Sequence, residues 1–166
     1  MRVLIRGAGD IATGIALRLY RCHIQVVMTD LPAPTAIRRT VCFSQAIVLG
    51  RTEVEGVTAE RAADAAHAEA LLAQGVIPVL ADPEGACRPA LRPDAVVDAI
   101  LAKRNLGTAI TDAPVVIGVG PGFTAGTDCH AVVETMRGHT LGRVIYHGSA
   151  LPNTNIPGLI GGYAGE

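Results

Sequence analysis

The sequence predicts a doubly wound α/β fold, a mostly parallel sheet with helices on both faces, built by residues 1–166 as a single domain. Three observations predict it. Short apolar runs alternate with helix-like stretches along the chain. The runs at residues 3–5, 26–28, 76–80 and 115–119 are continuously apolar, as strands covered on both faces are. Apolar residues make up 49% of the chain but aromatic ones only 3%, with 19 glycines, which suits a sheet closely covered by small-residue helices.

The first thirty residues organise the rest. Residues 1–6 read as a strand, Gly7-Ala8-Gly9-Asp10-Ile11-Ala12-Thr13-Gly14 as a turn opening a helix to about residue 21, and residues 24–30 as a second strand. With G-x-G-x-x-A in the turn, this is the order of a unit that holds a dinucleotide by its pyrophosphate. Gly7 permits a tight turn, Gly9 lets a phosphate approach the backbone, and Ala12 allows helix and strand to pack closely. The helix offers its first N–H groups, those of Asp10 and Ile11 among them, and its positive end to the anion. Asp30, twenty-one residues after Gly9, stands where a carboxylate accepts hydrogen bonds from an adenosine ribose. A carboxylate there disfavours a 2′-phosphate, so NAD is expected over NADP. The other reading is a turn kept for packing alone.

Further along, Thr35 is expected to cap a short helix carrying Arg38 and Arg39, with Arg38 able to clamp a phosphate, or else to lie on a solvated face. Residues 41–49 read as strand and residues 50–58 as an edge strand or hairpin arm. An alanine-rich helix is expected over residues 58–74, stopped by Gly75. Residues 76–82 read as a buried strand with Asp82 at its carboxyl end. Pro78 predicts that this strand lies near an edge or is paired on one side only. Residues 83–92 read as loop, and Pro93 opens an expected helix ending near Lys103 and Arg104. Residues 113–119 read as an interior strand running into a second glycine turn, residues 118–126. There Gly120 and Gly122 flank Pro121, and the stiffened loop is expected to fix N–H groups toward an anion. Residues 143–147 read as a last short strand and residues 148–166 as loop. Because ligands gather beyond the carboxyl ends of such strands, Gly9, Asp30, Asp82 and the second turn are expected on one rim.

Asp128, His130 and Glu134 form the best cluster for chemistry. A helix starting near Asp128 would place His130 and Glu134 on one face, where the acid orients the imidazole for proton transfer. The alternative is that Asp128 caps the helix and His130 bonds to the loop. Cys129 reads as a soft ligand or a sulfur or selenium carrier, or simply as a buried thiol. The four cysteines lack C-x-x-C spacing, so reduced thiols are expected. A net charge of −1 argues for neither nucleic acid nor an anionic membrane as partner. No run is long enough to span a bilayer, and residues 1–6 do not make a signal peptide, so a cytoplasmic protein is expected.

Several stretches together resemble the YqeB-type family, the selenium-dependent molybdenum hydroxylase system proteins, related to the Rossmann domain of XdhC/CoxI-type maturation factors. They are the first turn, Arg38-Arg39-Thr40-Val41, Val54-Glu55-Gly56-Val57, Asp98-Ala99, Ala102-Lys103-Arg104-Asn105, Gly118-Val119-Gly120-Pro121-Gly122-Phe123, Asp128-Cys129-His130-Ala131-Val132-Val133-Glu134-Thr135, Arg137-Gly138-His139 and Pro152-Asn153-Thr154. The resemblance implies an accessory role in making or loading molybdenum hydroxylases of the xanthine dehydrogenase type, with the hydroxylase apoenzyme as partner. It also brings in the cytosine dinucleotide form of the molybdenum cofactor, which carries the same pyrophosphate as NAD, as a rival ligand. Family members usually continue beyond the Ile-Pro-Gly region, so the chain is expected to be truncated at its C-terminus. An NAD-dependent oxidoreductase acting on a small substrate, and a nucleotide-sensing scaffold, are the competing functions. Whether a reaction is catalysed, and whether the chain forms a homo-oligomer, is left open by the residues.

Overall fold

The computed structural model describes residues 1–152. The chain divides into two units, Met1–Ile100 and Leu101–Glu166. The sequence reading is met at the coarse level, an α/β fold with a mostly parallel sheet, but the helices are fewer than the reading expected.

In the first unit β1 (Arg2–Arg6), β2 (Gln25–Asp30), β3 (Arg51–Val54), β4 (Val57–Ala62), β5 (Ile77–Ala81) and β6 (Ala95–Asp98) form a sheet in the order β6-β1-β2-β5-β4-β3. Neighbours run parallel except the edge hairpin β3–β4, which turns at Glu55 and Gly56 with both residues at positive φ. Val3, Leu4 and Ile5, Val26, Val27 and Met28, and Val96 and Val97 are buried in succession, so these strands are covered on both faces. α1 (Asp10–Arg21) joins β1 to β2 and buries Ala12, Thr13, Ala16 and Leu17 as one stripe, whose alanines let it approach the sheet closely. It ends in a Schellman motif: His23 N–H donates to Tyr20 O and Ile24 N–H to Leu19 O, with His23 left-handed at φ 58°. α3 (Ala65–Ala73) ends the same way on Gly75 at φ 72°.

Several expectations are corrected. No helix starts at Thr35; a single 3-10 turn spans Arg39–Val41. The expected strand at residues 41–49 is instead a loop leading into α2 (Gln45–Leu49), because the N–H groups of Phe43 and Ser44 are spent on Thr13 Oγ1 and Ala8 O rather than on a ladder. The helix expected from residue 58 begins only at Ala65, capped by Asp64, whose Oδ1 accepts from His67 N–H. Residues ahead of it form β4, where Val57 and Ala59 are buried on one face and Ala62 on the other; the alanine content hid the strand. β5 is paired on both sides, although the ladder with β2 begins only at Val79, so Pro78 faces β4 alone and removes no donor from the β2 side. The loop at residues 83–92 contains α4 (Arg88–Leu91). The helix expected from Pro93 is strand β6, four consecutive buried residues in register with β1. A run that short has no readable period, and pairing with β1 decides it.

The second unit holds β7 (Val115–Val119), β8 (Thr124–Ala125), β9 (Ala131–Val133), β10 (Val144–Ile145) and β11 (Gly148–Ser149). β9 lies parallel to β7 and antiparallel to β10, and β8 pairs with β11. No helix starts at Asp128, since residues 131–133 are strand. Asn153 and Thr154 of the motif stretches, and the rest of the expected terminal loop, lie outside the described residues. Among the described residues no helix is long and apolar enough to cross a membrane.

Candidate functional site

The first glycine turn sits at the carboxyl end of β1. Gly7 has φ 97°, and a Cβ there would meet Ala99 O at 2.8 Å, so both the backbone and its neighbour demand glycine. Gly9 differs: its φ of −68° suits any residue, and a Cβ would meet nothing within 4 Å. Internal packing therefore does not explain a glycine at 9. Gly9 is the N-cap of α1 and has no side-chain cap; Thr13 N–H is the first to find a helical partner, Gly9 O at 2.8 Å. The N–H groups of Asp10, Ile11 and Ala12 have no carbonyl four residues earlier to bond.

Around this opening the chain builds a collar. Asp30 accepts from Ala8 N–H through Oδ2 (2.9 Å) and from Leu31 N–H through Oδ1 (2.7 Å), which fixes the carboxylate against the turn. Each oxygen keeps a further lone pair for a hydroxyl. Ser44 N–H donates to Ala8 O (2.9 Å), and Thr13 Oγ1 accepts from Phe43 N–H (2.9 Å). Arg38 is paired with Asp10, and Cys42 Sγ donates to Arg38 O (2.9 Å). Burial pushes the Cys42 thiol up, and the nearby Asp10 carboxylate adds to this. Gly7, Gly9, Asp10, Ile11, Ala12, Asp30 and Arg38 are thus brought together. Reasoning from sequence missed the collar of residues 42–44, because those residues were read as strand.

Beneath the turn lies a buried ion pair that the sequence did not announce. Arg6 Nη1 is 3.3 Å from Asp98 Oδ2 across β1 and β6, and Arg6 Nη2 donates to Pro83 O (3.0 Å). Both side chains are almost fully buried. Asp82 serves its own loop: it accepts from Ala86 and Cys87 N–H (2.9 and 2.8 Å). Burial raises its carboxyl, but these donors and the Cys87 thiol outweigh that and hold it below the usual range.

In the second unit Gly118, Gly120 and Gly122 serve packing. A Cβ on Gly122 would lie 2.6 Å from the backbone of Arg104, one on Gly118 2.5 Å from the Phe123 ring, and one on Gly120 2.9 Å from Thr135 Oγ1. The segment facing Gly120 and Gly122 carries two left-handed non-glycine residues, Leu101 and Lys103. Gly120 N–H is bonded to Val133 O (2.8 Å). Asp128, His130 and Glu134 do not converge. Asp128 accepts from Thr124 N–H (2.8 Å), closing its own loop. His130 Nδ1 accepts from Val116 N–H (3.0 Å) while His130 N–H returns to Val116 O (2.8 Å). Glu134 is buried and accepts from the N–H groups of Thr135, Met136 and Leu151 (2.7, 2.7 and 2.8 Å). Strand β9 between His130 and Glu134 spaces them by about 13 Å rather than one helical turn. Among the described residues no group of three or more His, Cys, Asp or Glu side chains could hold a metal. A cleft of about 520 Å³ lies at the amino ends of β2 and β5, lined by Tyr20, Gln25, Leu72 and Ile77, away from the glycine turn.

The chain is 56% identical over 161 residues to the "Uncharacterized protein YqeB" of Escherichia coli (strain K12). That similarity covers 97% of this chain. The chain spans about 30% of the length of that curated relative. Neither a family model nor a solved structure gives a significant match.

Proposed function

We propose that the first unit binds a dinucleotide by its pyrophosphate at the Gly7 turn, within a doubly wound, Rossmann-like arrangement. The observation that carries this is Gly9, whose missing Cβ serves no contact in the protein and leaves the opening N–H groups of α1 accessible. The strand order supports it: the chain passes from β1 to β2, goes out to the edge hairpin β3–β4, steps back in to β5 beside β2, and then crosses to β6 on the other side of β1. Such a reversal leaves a crevice at the carboxyl end of β1, where ligands of open α/β sheets sit. Asp30, held by two backbone N–H groups, suits a ribose diol and repels a 2′-phosphate. NAD and the cytosine dinucleotide of the molybdenum cofactor share the pyrophosphate that these residues fit.

The biological role we infer is that of an accessory factor in maturation of selenium-dependent molybdenum hydroxylases, working on the hydroxylase apoenzyme in the cytoplasm. The likeness to YqeB supports the family from which that role is drawn. An NAD-dependent oxidoreductase would need a proton donor at the cofactor, whereas Asp128, His130 and Glu134 are each engaged with backbone N–H groups. Calorimetric titration tests the binding: NAD is expected to bind at least several-fold more tightly than NADP, and equal or absent binding of the two overturns the reading. In cells, Gly9→Val is expected to lower hydroxylase activity without lowering apoenzyme level. Unchanged activity would remove the maturation role.

A further inference from the structure

Asp10 is the first residue of α1, next to the N–H groups that would hold an anion. A carboxylate there stabilises the positive end of the helix but repels any phosphate placed on it. Arg38 Nη2 lies 2.5 Å from Asp10 Oδ2, and the Arg38 side chain is 69% exposed while that of Asp10 is 29% exposed. Asp30 accepts from Ala8 N–H on the other side of Gly9, so two carboxylates and one guanidinium stand at the glycine turn.

Building on the dinucleotide reading above, we propose that Asp10 and Arg38 form a charge filter that admits pyrophosphate diesters and turns away terminal phosphate monoesters. A diester carries one negative charge per phosphorus, and the exposed guanidinium can turn from Asp10 to meet it. A terminal monoester brings a charge of about −1.5 to −2 on one phosphorus. It then meets two carboxylates with one cation to share among them. Each extra charge at ~4 Å from a carboxylate costs about fivefold in affinity even at the dielectric constant of bulk water.

The test is calorimetry of the full chain at fixed ionic strength, without magnesium, using ADP-ribose as the diester and ADP as the monoester. The wild type is expected to prefer ADP-ribose by about fivefold or more, and Asp10→Asn to shrink that preference about fivefold by improving ADP. Arg38→Gln is expected to weaken both ligands. Asp10→Ser, which keeps a small polar residue at the helix start, repeats the measurement if Asp10→Asn fails to fold by circular dichroism. If the wild type binds ADP-ribose and neither Asp10 variant alters the preference, the filter is wrong while the dinucleotide reading stands. If neither ligand binds the wild type, the dinucleotide reading fails and the filter with it.

Discussion

Three buried residues in the first unit, Arg6, Asp98 and Cys87, carry consequences that their exposed counterparts do not. Arg6 and Asp98 are paired at the carboxyl ends of β1 and β6, with almost no access to water. Removing one member of such a pair leaves the other charge buried, which costs roughly 3–5 kcal/mol. Asp98→Ala is therefore expected to lower stability by about that much, read as a shift in the urea midpoint; a change below about 1 kcal/mol would mean that water reaches Arg6. Cys87 gives a pH signature. Burial, and then the hydrogen bond and charge of Asp82, push its thiol up to about 12. The folded state thus holds this proton more tightly than the unfolded chain. The resulting stabilisation is complete below about pH 9 and is lost as pH rises toward 12. Urea midpoints measured across that window should fall more steeply for the wild type than for Cys87→Ala, and parallel curves would refute the assignment.

At the scale of the element, the ends of α1 and α3 offer a controlled comparison. Both close with the same pair of hydrogen bonds, one on His23 at φ 58° and the other on Gly75 at φ 72°. A side chain in the left-handed region costs about 1–2 kcal/mol, partly offset by the greater freedom of glycine in the unfolded chain. His23→Gly is expected to raise stability by about 0.5–1 kcal/mol and Gly75→Ala to lower it by about 1–2 kcal/mol, both measurable by urea unfolding. The first β1-α1-β2 passage was legible because every local signal agreed: apolar run, glycine turn, amphipathic helix, apolar run, acid. The outer arm of the edge hairpin, β3, was legible from its alternation, but its partner β4 was not, because the alanine-rich residues from 58 on read as helix. What was not legible is short. Ala95, Val96, Val97 and Asp98 make a strand because β1 needs a neighbour, and Gln45 to Leu49 coil because Phe43 and Ser44 are tied to the glycine turn. Those are tertiary decisions, and the same holds for Glu134, whose three N–H partners include Leu151, seventeen residues away.

Across the whole molecule, two glycine turns that look alike in sequence have glycines for different reasons. In the first unit Gly9 has ordinary backbone angles and open space above it; in the second, Gly122 has φ 110° and the backbone of Arg104 2.6 Å from where a Cβ would stand. The missing side chain at Gly122 serves the packing of the protein itself, whereas the one at Gly9 serves no contact within it. The same substitution should therefore separate them. Gly9→Ala is expected to leave stability within about 1 kcal/mol, since a small loss at the N-cap is balanced by reduced freedom of the unfolded chain. It is nonetheless expected to weaken dinucleotide binding, because the methyl group enters the space the phosphate needs. Gly122→Ala combines a left-handed alanine with a backbone clash and is expected to cost more than about 2 kcal/mol, or roughly 4–8 °C in melting temperature. Melting curves with and without NAD resolve both effects in one experiment: ligand-induced stabilisation should vanish in Gly9→Ala at an unchanged apo midpoint. If Gly9→Ala instead melts like Gly122→Ala, its glycine is structural too, and the argument for a pyrophosphate at the first turn loses its main support.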